Sequence, residues 1–198
     1  MSKELSAPLN QIAVSSARTP AWLRITGIVL AGSAFVAACA HISIPLYFTP
    51  VPLTVQPFAV LLLGLLLSPR LAAATLIAYL AEGAAGLPVF TPTPAMAGLA
   101  HLFGPTGGYL LAYPLAAFLT SALWRRTGRG FTAAAFSAAA GDLTILCWGA
   151  LWLAVETHVP VRSVLMLAVL PFLAGDALKV TAAAALASGF RRLRRTHE

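Results

Sequence analysis

Charge is what this sequence has least of. Only 10% of its 198 residues are Asp, Glu, Lys or Arg, against about 25% in ordinary soluble domains. A chain this poor in charge does not clothe a water-soluble globule with polar groups. Nor has it the polar, weakly apolar composition of a disordered one. The basic pI near 10.3 does not mark a nucleic-acid binder, because it rests on only 13 Lys and Arg, most of them at segment ends. Cysteine is scarce too. Cys39 and Cys147 lie in apolar runs, with no CxxC pair and no disulfide framework, and read as two small buried hydrophobes. HExxH, GxSxG and Walker patterns are missing, which argues against an enzyme and against ATP hydrolysis by the chain itself. Gly104-Pro105-Thr106-Gly107-Gly108 has the glycines of a phosphate loop but not its Lys-Ser/Thr ending or its preceding strand. His41, His101 and His158 show no paired ligand spacing, so no metal and no cofactor are expected.

What is present is apolar: 59% of the residues, with a mean hydropathy of +0.85. The interruptions divide it into six segments, at about 25–44, 51–67, 71–85, 108–124, 131–155 and 172–190. Several are near the short end of the ~17–25 residues that a span needs. Helix is the expectation for each, because an open strand in lipid leaves its backbone unpaired. The fold class expected is therefore all-α and membrane-integral, with six spans forming one domain over residues 21–195. Residues 1–20, polar and carrying Pro8 and Pro20, read as a mobile cytoplasmic tail.

Placing the N-terminus in the cytoplasm puts the tail, the turns after spans two and four, and the C-terminus on one side. That side then holds 11 of the 13 cations, among them Arg70, Arg125, Arg126, Arg191 and Arg192. The positive-inside rule thus favours six spans with both termini cytoplasmic. The outer connections are longer, apolar and rich in Pro and Gly, as in PLYFTPVPLTVQP and GAAGLPVFTPTPAMAGLAHLFGPTGG. They cannot continue a helix. Their Phe48, Leu53, Val89, Phe90, Met96, Leu99, Leu102 and Phe103 are expected to fold back as apolar covers over an outward pocket. Between spans five and six, a short helix followed by a break at Pro171 is expected.

Ionisable groups inside lipid spans are costly and are functional candidates by default. Asp176 and Lys179 stand three apart on one face of span six. They form either an internal ion pair or a polar ligand contact. Asp142, mid-span in helix five, is either a hydrogen-bonded core acid or a pocket floor that accepts ligand N–H groups. Glu82 closes span three as a solvated cap or a ligand contact. Thr54 and Gln56 either cap helix two or bond a ligand from a cover hinge. Phe48, Phe90, Tyr109, Trp148 and Trp152 either wall a pocket or sit at the membrane interface. Small residues on span one, Ala34 and Ala38 among them, permit close helix approach within the bundle or with another subunit.

The order of four blocks carries a resemblance. HISIPLYFTPVPLTVQPFAVLLLGLLLSPR, YLAEGAAGLPVF, GPTGGYLLAYP and PFLAGDALKVTAAAALA together resemble the BioY family, the biotin-specific S components of energy-coupling factor (ECF) vitamin transporters. The resemblance implies a six-helix subunit that takes biotin with high affinity from the outer side, under covers from loops one and three. It implies ligand contact by Asp176 and Lys179, and matches Asp142 to a polar mid-span position where the family often carries Asn. It also implies that Ala34-x-x-x-Ala38 meets the transmembrane T subunit, itself joined to two cytoplasmic ATPases, in a cell inner membrane. Whether dedicated partners are needed stays open, including function alone or as a homo-oligomer. The competing readings are an S component for another vitamin, an intramembrane enzyme, or a membrane scaffold.

Overall fold

The computed structural model describes residues 20–92, 98–128 and 130–195. Residues 1–19 of the expected tail and Met96 lie outside them. Six long helices stand where the six apolar segments were marked: α1 Ala21–Ala40, α2 Gln56–Leu66, α3 Pro69–Ala84, α5 Gly107–Arg126, α6 Phe131–Thr157 and α8 Leu173–Arg195. Two short helices, α4 Ala100–Phe103 and α7 Val161–Ala168, lie in the connections. A two-residue-per-strand ribbon, β1 Ser43–Ile44 with β2 Leu53–Thr54, joins α1 to α2.

That ribbon corrects the expected ends of the first two helices. Segment one stops at Ala40 rather than residue 44, and segment two starts at Gln56 rather than residue 51. Pro45, Pro50 and Pro52 lack the N–H that a helix interior needs. The chain instead pairs antiparallel, Ser43 opposite Thr54 and Ile44 opposite Leu53. Helix resumes with Pro57 in its first turn, where a missing donor costs nothing. Pro69 opens α3 in the same way.

Among the described residues, α1, α5 and α6 are each long and apolar enough to cross a membrane. Helices α7 and α8, bent by 49° at their break, make a fourth crossing when taken together. With 11 and 16 residues, α2 and α3 extend only about 16 and 24 Å, short of a ~30 Å hydrocarbon core. Helix α2 lies within the bundle, against α5, α8, α6 and α1, so protein covers much of what lipid would meet. Large apolar side chains such as Ile28, Phe136, Leu143, Leu151, Leu178 and Leu186 point outward. In water these would form an adverse surface, whereas in a bilayer they face their own kind.

Helix α5 runs through the middle, packed on α6, α3 and α2, while α8 lies on α6 and α2. One end is an alanine seam, in which Ala134, Ala138, Ala183, Ala184 and Ala187 close around Leu61, Leu65 and Trp124. Small side chains let backbones approach where lipid supplies no hydrophobic drive between helices. The other end is bulkier. It carries Tyr79, Phe90, Tyr109, Tyr113 and Phe172, and the cavity lies there.

The expected break before helix eight is present. Phe172 N donates to Val169 O and α8 begins at Leu173. The carbonyls at the end of α7 find partners elsewhere: Thr49 Oγ1 donates to Leu167 O at 2.8 Å, and Tyr109 Oη to Ala168 O at 2.7 Å. Buried backbone acceptors thus stay paired despite the bend.

The covering connections fold back only in part. Phe90 is buried, and Leu53, Val89 and Leu102 pack against the core. Phe48, Leu99 and Phe103 are exposed, contrary to expectation. Phe48 lies with Tyr47 in the turn of the ribbon, and both side chains are exposed. The single turn of α4 faces His101 inward and therefore Phe103 outward.

Candidate functional site

Helical spacing assembles the cavity wall. Asp142, Ile145 and Leu146 share one face of α6. Tyr109, Leu110 and Tyr113 come from the start of α5, with Thr106 just before it, and Asp176 and Lys179 from the start of α8, with Phe172 just before it. Val51, Pro52 and Thr54 come from the ribbon, Gln56 and Pro57 from the first turn of α2, and Thr91 and His101 from the connection after α3. The space bounded by these residues, its opening to solvent included, is about 560 Å³. Its lining is chiefly apolar, with a few polar groups converging.

Three charged side chains meet there. Lys179 Nζ donates to Asp176 Oδ1 at 2.8 Å, with side chains 12% and 6% exposed. Asp142, 7% exposed, reaches the same cavity from the facing helix, and no hydrogen bond to its carboxylate occurs among the described residues. Two carboxylates against one ammonium leave this end of the cavity rich in acceptors. It asks for N–H donors and one acceptor, since an ammonium offers three donors and no acceptor.

The aromatic wall depends on two glycines. Gly149 lets α6 come so close to α5 that a Cβ there would lie 2.2 Å from the Tyr109 ring. Tyr109 lines the cavity, its ring tilted against Phe172 at 6.2 Å between centroids. At Gly83 a Cβ would lie 2.1 Å from Phe90. That ring fills the notch, edge-on to Tyr79 at 5.4 Å.

Of the eight residues expected at a ligand site, six are brought together on the cavity: Asp176, Lys179, Asp142, Thr54, Gln56 and Tyr109. Phe90 lies behind the wall, between Tyr79 and His101. Glu82 accepts from Ser33 Oγ on α1, away from the cavity lining. Neither Trp148 nor Trp152 lines it. Trp152 Nε1 instead donates to Gly104 O at 2.9 Å, pinning the glycine-rich turn before α5 to α6. Sequence reasoning did not single out Thr91, Tyr113, Ile145, Leu146 and Phe172 as lining, and weighed His101 only as a metal ligand. Tyr113, Ile145 and Leu146 lie three or four residues from Tyr109 or Asp142 on the same helices, and Phe172, just before α8, lies four residues from Asp176, a signal that was available. Thr91 and His101 depend on the path of a connection, which spacing does not encode. Ala34 and Ala38 face outward on α1, while Gly32, Ser33 and Val36 face the bundle.

Comparison with known proteins gives a consistent picture. The family model for the BioY family matches residues 11–196. A Pyrococcus horikoshii protein named "Probable biotin transporter BioY" is 39% identical over 138 residues, covering 70% of this chain and 79% of that one. The Thermotoga maritima protein named "Biotin transporter BioY" is 34% identical over 161 residues, covering 81% and 92%. A 2.1 Å crystal structure of the S-component for biotin from an ECF-type ABC transporter superposes with a TM-score of 0.78 at 25% identity, over 86% of this chain and 92% of that one. Since the match takes in all six long helices and every connection that borders the cavity, the chain belongs to the BioY family.

Proposed function

We propose that this protein captures biotin in the cavity and serves as the biotin-binding membrane subunit of an ECF-type transporter. The observation that carries the proposal is the convergence of Asp142, Asp176 and Lys179 on one end of an otherwise apolar cavity. Biotin has a neutral cyclic urea with two N–H donors and one carbonyl, an apolar thioether ring and chain, and a carboxylate. The urea fits the charged end, its N–H groups toward the carboxylates and its carbonyl toward Lys179. The ligand's own carboxylate does not fit there, because two acids already share the one cation. It is assigned to the other polar groups of the lining, Thr54, Thr91, Thr106 and His101. The apolar ring and chain lie between, along Tyr109, Tyr113, Ile145 and Phe172. Glu82 and Phe90 support this site from outside its lining.

Uptake then needs partners. The outward face of α1 around Ala34 and Ala38 suits a transmembrane T subunit, since small residues permit close crossing, and two cytoplasmic ATPases supply the energy. Placement in the cell's inner (plasma) membrane with both termini cytoplasmic agrees with the cation distribution. Transport by toppling of the whole bundle is compatible with its few charges clustering at the segment ends and the cavity. Relatives in the family are named as transporters.

Titration of the purified protein with biotin tests the reading. Saturable binding below micromolar is expected, with riboflavin and thiamine failing to compete. No saturable binding, or displacement by either of those vitamins, overturns it.

A further inference from the structure

Gln56 uses both ends of its amide inside the protein. Its Nε2 donates to Tyr79 Oη at 2.6 Å, and its Oε1 accepts from Thr91 Oγ1 at 3.2 Å. The Tyr79 hydroxyl donates to Val89 O at 2.9 Å, and His101 Nε2 lies 3.0 Å from Thr91 O. The directions are forced. A carbonyl only accepts, so Tyr79 gives its single proton to Val89 and can only accept from Gln56. Gln56 therefore turns its NH2 toward Tyr79, which leaves Oε1 for Thr91. By the same rule His101 carries a proton on Nε2.

The chain of bonds holds a short piece of the connection after α3. Val89 and Thr91 are tied at their polar atoms, and Phe90 between them is seated in the notch at Gly83. Gln56, Thr91 and His101 line the cavity, whereas Tyr79 is fully buried and does not. A phenylalanine would fill the same apolar space. What the hydroxyl adds is a donor for Val89 O and an acceptor for Gln56, both of which would otherwise be buried unpaired at a cost.

We propose that Tyr79 is a positioning residue for the ligand site: it seats Val89–Thr91 as a wall of the cavity and fixes the orientation of the Gln56 amide without touching the ligand. In its functional half this rests on the biotin reading above; in its structural half it does not.

Two measurements on the purified full-length protein test it, each on Tyr79→Phe and on Thr91→Val, which breaks the same chain at another link. The first is backbone hydrogen exchange without ligand. The amides of Val89, His101 and Leu102, hydrogen-bonded to Leu87, Gly98 and Leu99, are expected to exchange at least about tenfold faster, with α6 unchanged. Exchange as in the wild type in both variants overturns the proposal. The second is release of preloaded biotin in a chase. Release about tenfold faster is expected, equivalent to about 1.4 kcal/mol, at unchanged binding stoichiometry. A purely structural lesion would lower the stoichiometry and leave the release rate of the surviving fraction as it was, and that result overturns the proposal too. Wild-type protein that fails to load biotin sinks the ligand reading, and hydrogen exchange still decides the role of Tyr79.

Discussion

Lys179 Nζ stands 2.8 Å from Asp176 Oδ1, one helical turn away, and both face a cavity that Asp142 enters from the opposite helix. The pair is almost out of solvent, so removing one member leaves the other unmatched. Lys179→Ala is expected to weaken biotin binding by at least about 1–2 kcal/mol, the scale of a lost hydrogen bond to a charged group. That corresponds to a roughly 5- to 30-fold rise in Kd, read by equilibrium titration. Wild-type affinity would remove Lys179 from the site.

Asp142 separates two roles by substitution. If it accepts a urea N–H, Asp142→Asn keeps one acceptor oxygen and retains most binding, with a loss of about tenfold or less. Asp142→Leu, of similar bulk and without an acceptor, loses at least about 1–3 kcal/mol, the cost of an unsatisfied donor. Equal affinity for the Asn and Leu variants would assign Asp142 to the core alone.

Gly83 is predicted to be intolerant of the smallest addition. A Cβ there would lie 2.1 Å from the Phe90 ring, and overpacking of this kind costs about 1–3 kcal/mol. Gly83→Ala should lower the thermal midpoint in detergent, and Gly83→Ala with Phe90→Leu should recover part of it. Absence of recovery would show that the notch is not what Phe90 fills.

The outward face of α1 supports a test of assembly. Ala34→Leu and Ala38→Leu point away from the bundle. They are expected to leave biotin binding by the isolated subunit intact and to abolish co-purification with the T subunit. Undiminished co-purification would place that contact elsewhere.

Much of the fold was legible because lipid leaves few choices: apolar runs of these lengths have to be helices. The start of α2 was not, since residue 51 was expected and the helix begins at Gln56. The ribbon was not legible. Prolines announce the end of a helix, but pairing of Ser43 with Thr54 depends on how two strands of unremarkable sequence meet in space. The charged end of the cavity could be read from Asp176 and Lys179, since ions inside a span are rare enough to stand out. Glu82 stood out for the same reason. Its association with Ser33 depends on α1 lying beside α3, which no local pattern records. Phe90 was noticed as an aromatic in a covering segment. Only the glycine opposite it shows that the ring seats the segment rather than lining the space beneath.

The elbow between α7 and α8 has a mechanical meaning. Its freed carbonyls are claimed by Thr49, on the ribbon side, and by Tyr109, on the central helix. Three separate stretches of chain are therefore fastened to one another at this bend. Displacing the ribbon or the central helix from it breaks a hydrogen bond to a carbonyl that the bend has freed.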